Sequence, residues 1–269
     1  MILTMDVGNT NIKTALFEGE LMLNYWRMAT NRGTTSDELG MVLADLFAYN
    51  GRSMKEVRGI AISSVVPSIN FTIDHMCRSY FGIEPMMVGP GVKTGINIKY
   101  DNPRELGSDR IANAVAAYHL YGGPCIFIDF GTATSFGVVS GRGEFLGGAI
   151  CPGIKLSADS LVDHTAKLPR FELQKPDDVI GRNTITNLQS GIIFGHVGMV
   201  TYLIRRMKEE IGCPGARVIA TGGMALLVSD EAEIDVLDGL LTLKGLRILY
   251  EKNAALSGLG SATESAKKT

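Results

Sequence analysis

Ile2-Leu3-Thr4-Met5-Asp6-Val7-Gly8-Asn9-Thr10-Asn11-Ile12-Lys13 decides how this chain is read. An apolar run that ends in Asp-x-Gly and continues into short polar residues describes a strand, a tight turn and a return strand. Gly8 lets the backbone approach a ligand, and Asn9, Thr10 and Asn11 offer hydrogen-bonding side chains. Asp6 stands at the mouth of the turn, where a carboxylate can hold hydrated Mg²⁺ beside phosphates.

The pattern recurs at Cys125-Ile126-Phe127-Ile128-Asp129-Phe130-Gly131-Thr132-Ala133-Thr134, 123 residues further on. Counted from the Asp, Asp6 aligns with Asp129, Gly8 with Gly131, Asn9 with Thr132 and Asn11 with Thr134. Return strands are expected over Ile12–Phe17 and Ser135–Val139. Two ordered copies within 269 residues indicate an internal duplication, and two such hairpins are suited to gripping one nucleotide's phosphates. The chain contains neither a P-loop nor a Rossmann fingerprint after the first strand.

Between and after the hairpins, strands and helices alternate. Leu39, Val42, Leu43, Leu46 and Phe47 recur at helical spacing and Gly51 marks a stop. Val57–Val66 reads as a central strand, Ile69 to Tyr80 as a helix, and Pro85–Val88 as a short strand. Gly95–Gly107 reads as a loop, followed by a helix from near Asp109. The second half gives strands at Cys125–Asp129, Thr134–Val139 and Glu144–Ile150, then a helix after Pro152-Gly153. A polar loop over Arg170–Asn183 precedes a long helix through Leu188 to Ile211. A strand over Arg217–Ala220 and a helix over Leu243–Ala254 follow, with a frayed tail at Ser261–Thr269. This is an α/β chain with mixed sheets flanked by helices, expected to divide into domains 1–121 and 122–269 that share a cleft.

Bulk composition excludes several classes. Apolar content of 45% and a net charge of −2 describe a soluble globular protein without an electrostatic footprint for nucleic acid. Cys77, Cys125, Cys151 and Cys213 are scattered, which fits a reducing cytoplasm. His75, His119, His164 and His196 have no metal-ligand spacing and read as surface or packing residues. Neither a signal peptide nor a membrane span is expected.

Gly107-Ser108-Asp109-Arg110 opens a helix. Asp109 lies at or near the helix N-cap, and on spacing alone it is either a cap or a base that accepts a proton from a substrate hydroxyl attacking a γ-phosphate. Arg110 contacts an anionic or hydroxyl-bearing substrate or pairs with an acidic neighbour. Thr221-Gly222-Gly223 is either a plain turn or a close approach to a flat group such as adenine. Lys13 is a phosphate ligand or a solvated side chain.

Taken together, these residues resemble the acetate and sugar kinase/heat-shock 70/actin superfamily. Within it they resemble type III pantothenate kinase, the Bvg accessory factor-like family. Asp6 to Asn11 and Asp129 to Thr134 are similar to its two phosphate motifs, and Tyr100 to Arg110 to its substrate segment with Gly-x-Asp-Arg. Gly147-Gly148-Ala149-Ile150-x-Pro152-Gly153 and Gly181-Arg182-Asn183-Thr184 match as well. Ser108 departs from the small apolar residue usual there.

The resemblance implies duplicated actin-like (ribonuclease H-like) domains with a nucleotide cleft between them, and ATP-dependent phosphorylation of pantothenate to 4′-phosphopantothenate, the first step of coenzyme A biosynthesis. It assigns ATP to Asp6, Val7, Gly8, Asn9, Thr10, Asn11, Ile12, Lys13 and Thr132. Asp109 is the proton acceptor, and pantothenate falls to Tyr100, Gly107, Ser108, Asp109, Arg110 and Thr184. Asp129 is the ligand of a monovalent cation, K⁺ or NH₄⁺, and Mg²⁺ accompanies ATP. The implied assembly is a cytoplasmic homodimer. The residues by themselves support a kinase, while pantothenate comes from the resemblance. The alternatives are a non-catalytic nucleotide-binding regulator and a related small-molecule kinase.

Overall fold

The structure is a computed structural model and describes residues 1–256. The tail expected to fray, Ser261–Thr269, lies outside the described residues. In chain order the elements are β1 (Ile2–Val7), β2 (Asn11–Glu18), β3 (Leu21–Ala29), α1 (Ser36–Tyr49), β4 (Gly59–Ser64), α2 (Asn70–Met76) and β5 (Met86–Met87). There follow β6 (Asn97–Ile98), α3 (Ser108–Tyr121), β7 (Cys125–Phe130), β8 (Ala133–Val139), β9 (Glu144–Gly147), β10 (Ile150–Pro152) and α4 (Ile154–Asp163). The chain continues through α5 (Thr184–Glu210), β11 (Arg217–Thr221), β12 (Val236–Leu237) and α6 (Leu241–Leu256). Among the described residues no helix is long and apolar enough to cross a membrane.

Packing separates the chain into two compact units. One holds Met1–Gly95, Asn102–Ala116 and the segment from Leu241 on, and the other holds Ile96–Asp101 and Ala117–Leu240. This grouping differs from a division at 121/122 chiefly in α6, which packs on β1, β2 and β4 of the first sheet. Gly59 leaves room there for the Tyr250 ring, whose hydroxyl donates to the Arg58 carbonyl at 3.4 Å.

The first sheet has the order β3-β2-β1-β4-β5, with β1 antiparallel to β2 and parallel to β4. Leu3, Met5 and Val7 of β1 join Leu39, Leu43 and Phe47 of α1 and Ile73 of α2 in one core. Side chains alternate across a strand, so Thr4 and Asp6 belong to the other face, the one that α6 covers.

The second sheet repeats this plan. Along β9-β8-β7-β11-β12 the order and strand senses are those of β3-β2-β1-β4-β5, with β6 and β10 added. The duplication read from two short motifs therefore extends to whole sheets. Ile126, Ile128 and Phe130 of β7 pack with Ile154 of α4 and with Ile193, Val200 and Ile204 of α5.

Three local expectations change. β3 was not anticipated, because as an edge strand it buries only Trp26 and shows no clean alternation. The strand expected over Glu144–Ile150 breaks at Gly147, whose φ of +128° ends β9 before β10 begins. The segment read as a loop over Gly95–Gly107 contains β6, paired in parallel with β9.

Candidate active site

In the first unit, the β1–β2 turn is closed by Gly8 N–H donating to the Asn11 carbonyl at 3.0 Å. The chain leaving β3 braces it from outside. Thr30 Oγ1 donates to the Gly8 carbonyl at 2.6 Å, Thr30 N–H to the Thr10 carbonyl at 3.0 Å, and the Arg32 guanidinium to Asn9 Oδ1 at 3.2 Å. Asn9 and Thr10 stay exposed, whereas Val7 and Ile12 turn into the core and offer only backbone groups. Asp6 is largely buried at the end of β1, with its carboxylate 3.9 Å from Lys13 Nζ on the neighbouring strand.

On its other side, Asp6 pairs in register with Ser63 of β4. Ser63 Oγ lies 3.0 Å from Ser108 Oγ, which also accepts from Ser64 N–H at 3.0 Å and donates to the Ser64 carbonyl at 3.2 Å. Ser108 is the first residue of α3, so its hydroxyl bolts that helix to the ends of the parallel strands, the place where open α/β sheets bind ligands. The hydroxyl is committed to β4. Any contact of Ser108 with substrate therefore runs through its backbone.

Asp109 follows on the first turn of α3. It is not the N-cap: the Ile111 N–H donates to the Gly107 carbonyl at 3.1 Å, which puts Gly107 at the cap position. The carboxylate instead accepts from the Arg110 N–H at 2.8 Å and folds over Gly107, where an added Cβ would lie 2.5 Å from Asp109 Oδ1. The carboxylate is only partly buried. Arg110 is buried at 7% exposure.

The second unit holds Asp129, Thr132, Tyr100 and Thr184. Register corrects the motif alignment here. The last pair before the first turn is Val7–Ile12, while around the second turn it is Phe130–Thr134, so the second turn is one residue shorter. Thr134 is thus the counterpart of Ile12 rather than of Asn11, and like Ile12 it is fully buried. Its hydroxyl is satisfied by His196 Nε2 on α5, 2.9 Å away, an arrangement that sequence reasoning missed. Burial lowers the His196 pKa from its ordinary value.

Thr132 is exposed at the tip of the shorter turn. Behind it, the Thr132 carbonyl accepts from the Gly153 N–H at 3.1 Å, and a Cβ on Gly153 would collide with the Thr132 and Gly131 carbonyl oxygens. Asp129 pairs in register with Thr221, and Gly222, at φ +96°, brings its backbone against the Asp129 carboxylate. An added Cβ there would lie 2.6 Å from Asp129 Oδ1 and 2.5 Å from Phe130 N, so only glycine fits. The close approach at Thr221-Gly222-Gly223 is to the Phe130 backbone and the Asp129 carboxylate. Tyr100 packs on Phe145 with ring centroids 6.1 Å apart. Thr184 is exposed on the first turn of α5, behind the Asn183–Thr186 capping box.

Among the described residues no three His, Cys, Asp or Glu side chains are gathered to hold a metal ion. A cavity of about 390 Å³ in the second unit, lined by Lys155, Asp159, Asp163, Arg170, Phe171 and Met224 among others, includes none of the expected site residues.

Residues 2–206 match the family model of type III pantothenate kinase. Among solved structures, a conserved protein assigned as a Baf family transcriptional activator from Campylobacter jejuni is similar at 19% identity and a TM-score of 0.59, covering 94% of this chain and 99% of that one. Component A of (R)-2-hydroxyglutaryl-CoA dehydratase from Acidaminococcus fermentans follows at 13% identity and 0.56, covering 94% and 98%. A Porphyromonas gingivalis protein assigned as an N-acetylglucosamine kinase gives 13% and 0.50, covering 94% and 99%. At such identities these likenesses speak for the fold, the duplicated actin-like, ribonuclease H-like α/β architecture. The family match runs from β1 into the last turns of α5 and takes in both hairpins and Asp109: the chain belongs to the type III pantothenate kinase family.

Proposed function

We propose that the chain is a kinase that transfers the γ-phosphoryl group of ATP to the primary hydroxyl of pantothenate, giving 4′-phosphopantothenate. The observation that carries this reading is the path from Asp6 through Ser63 to Ser108. It anchors Asp109 at the same strand ends as the exposed Asn9–Thr10 turn. A non-catalytic nucleotide-binding protein needs the turn but not an anchored carboxylate beside it.

In this reading the β1–β2 turn receives nucleotide phosphates through backbone N–H groups and short polar side chains, and Thr132 is assigned to ATP through the family motifs. Lys13 adds positive charge beside the phosphates. Asp109 accepts the proton of the attacking hydroxyl, a contribution typically of about 10²–10⁴-fold. Tyr100, the backbone of Gly107 and Ser108, Arg110 and Thr184 are assigned to pantothenate through the family motifs. Mg²⁺ bound with ATP supplies charge neutralisation on the transferring phosphate, and Asp6 is the carboxylate placed to orient it. A K⁺ or NH₄⁺ ion at Asp129 completes the reading. One carboxylate close to neutral backbone groups suits a singly charged cation better than a divalent one. Homodimerisation belongs to the same reading and is supported by family membership.

The test is a coupled ADP-release assay with pantothenate, a panel of sugars and acetate, with and without K⁺. ADP release with pantothenate alone is the expected result. Release with a sugar and none with pantothenate overturns the substrate, and nucleotide binding without release on any acceptor points to the regulator.

A further inference from the structure

The buried stripe of α5 has one ionisable member. Ile193, His196, Val200 and Ile204 follow one another at helical spacing, and all four are buried. His196 touches both residues that close the second turn. Its Nε2 lies 2.9 Å from Thr134 Oγ1, and its ring centroid lies 6.1 Å from that of Phe130. Phe130 and Thr134 are register partners, so the turn that carries Thr132 hangs from the pair that His196 holds, and Asp129 is the residue immediately before it.

The first hairpin has no such device, because its closing pair, Val7 and Ile12, is apolar and packs in the core. It is braced from outside through Thr30 and Arg32. The shorter second turn instead places a hydroxyl on the buried face and is held from beneath by a helix.

We propose that His196 is a positioning residue for nucleotide binding: by holding Thr134 and Phe130 it sets where Thr132 and Asp129 present their oxygens. The proposal rests on the kinase reading of the second turn. A histidine that merely filled the core would affect melting and leave ligand affinities alone. A positioning residue acts selectively on the nucleotide and on the ion at Asp129, and a hydrogen-bonding substitute restores its effect.

The experiment is calorimetric titration of the full chain with MgATP, with steady-state kinetics in parallel, on wild type, His196→Phe and His196→Gln. His196→Phe is expected to weaken MgATP binding about tenfold and to raise the K⁺ needed for half activation, while the KM for pantothenate stays within about twofold. His196→Gln, whose amide can still bond Thr134, is expected to recover most of the loss. Should His196→Phe fail to fold, Thr134→Val removes the same hydrogen bond and is expected to show the same selective loss. Wild-type MgATP affinity in His196→Phe, equal losses for both substrates, or no recovery by His196→Gln overturns the proposal. Failure of the function reading looks different. Wild type then binds MgATP, weakened in His196→Phe, but releases no ADP with pantothenate.

Discussion

Ser108 Oγ lies 3.0 Å from Ser63 Oγ, and this contact joins the helix that carries Asp109 to the strand beside Asp6. Ser108→Ala removes three hydrogen bonds at once and leaves the buried Ser63 hydroxyl and the Ser64 N–H short of a partner. Stability is expected to fall by about 1–3 kcal/mol. Because α3 then loses its anchor at the end that holds the proposed base, kcat is expected to fall while the KM for ATP changes little. Thermal melting and steady-state kinetics check the two halves. An unchanged kcat would show that the anchor serves stability alone.

Asp109→Asn keeps the shape of the side chain and an oxygen that can accept from the Arg110 N–H. The variant is expected to melt like wild type and bind ATP normally, with turnover reduced by about 10²–10⁴-fold. Near wild-type turnover would remove Asp109 from the chemistry.

Asp129 and Gly222 give a paired expectation. Asp129→Asn removes the negative charge and is expected to abolish the preference for K⁺ over Na⁺ in the activity assay. Gly222→Ala forces a Cβ against Phe130 N and the Asp129 carboxylate at a backbone φ of +96°. It is expected to cost about 1–3 kcal/mol of stability and to impair the same ion dependence. Ion-independent turnover in the wild-type enzyme would sink the assignment of a cation to Asp129.

The hairpins were legible because they are local: Asp, Gly and hydroxyl in fixed order after an apolar run specify strand and turn whatever the rest of the chain does. The duplication was legible for the same reason. What sequence spacing could not supply was register. Counting from Asp129 pairs Thr134 with Asn11, and only the β7–β8 ladder shows a turn one residue shorter with Thr134 in the place of Ile12. The Ser108 anchor depends on β4, more than forty residues away, so no local pattern reveals it. For His196 a signal existed. A histidine on an apolar stripe at the position between Ile193 and Val200 must find a buried partner or stay unsatisfied. β3 escaped because an edge strand with one buried residue carries almost no pattern.

The buried His196 also gives the protein a pH dependence whose sign is fixed. Its pKa is lowered in the folded state by burial, from an ordinary value of 6.5. The unfolded chain therefore binds the proton more readily, and folding stability rises with pH wherever the two states differ in protonation. The contribution is fully present above the unfolded value and is lost as the pH falls through the lowered, folded value. Wild type is thus expected to lose melting temperature as the pH falls from about 6.5 toward the carboxylate range. His196→Phe has no proton to take up at that position, so its melting temperature is expected to fall less over the same interval, even if it starts lower at neutral pH. Melting curves of the two proteins measured side by side across that interval make the comparison. Parallel slopes would mean that His196 keeps its ordinary proton affinity in the folded chain, and with it easy access to water rather than a place under the second turn.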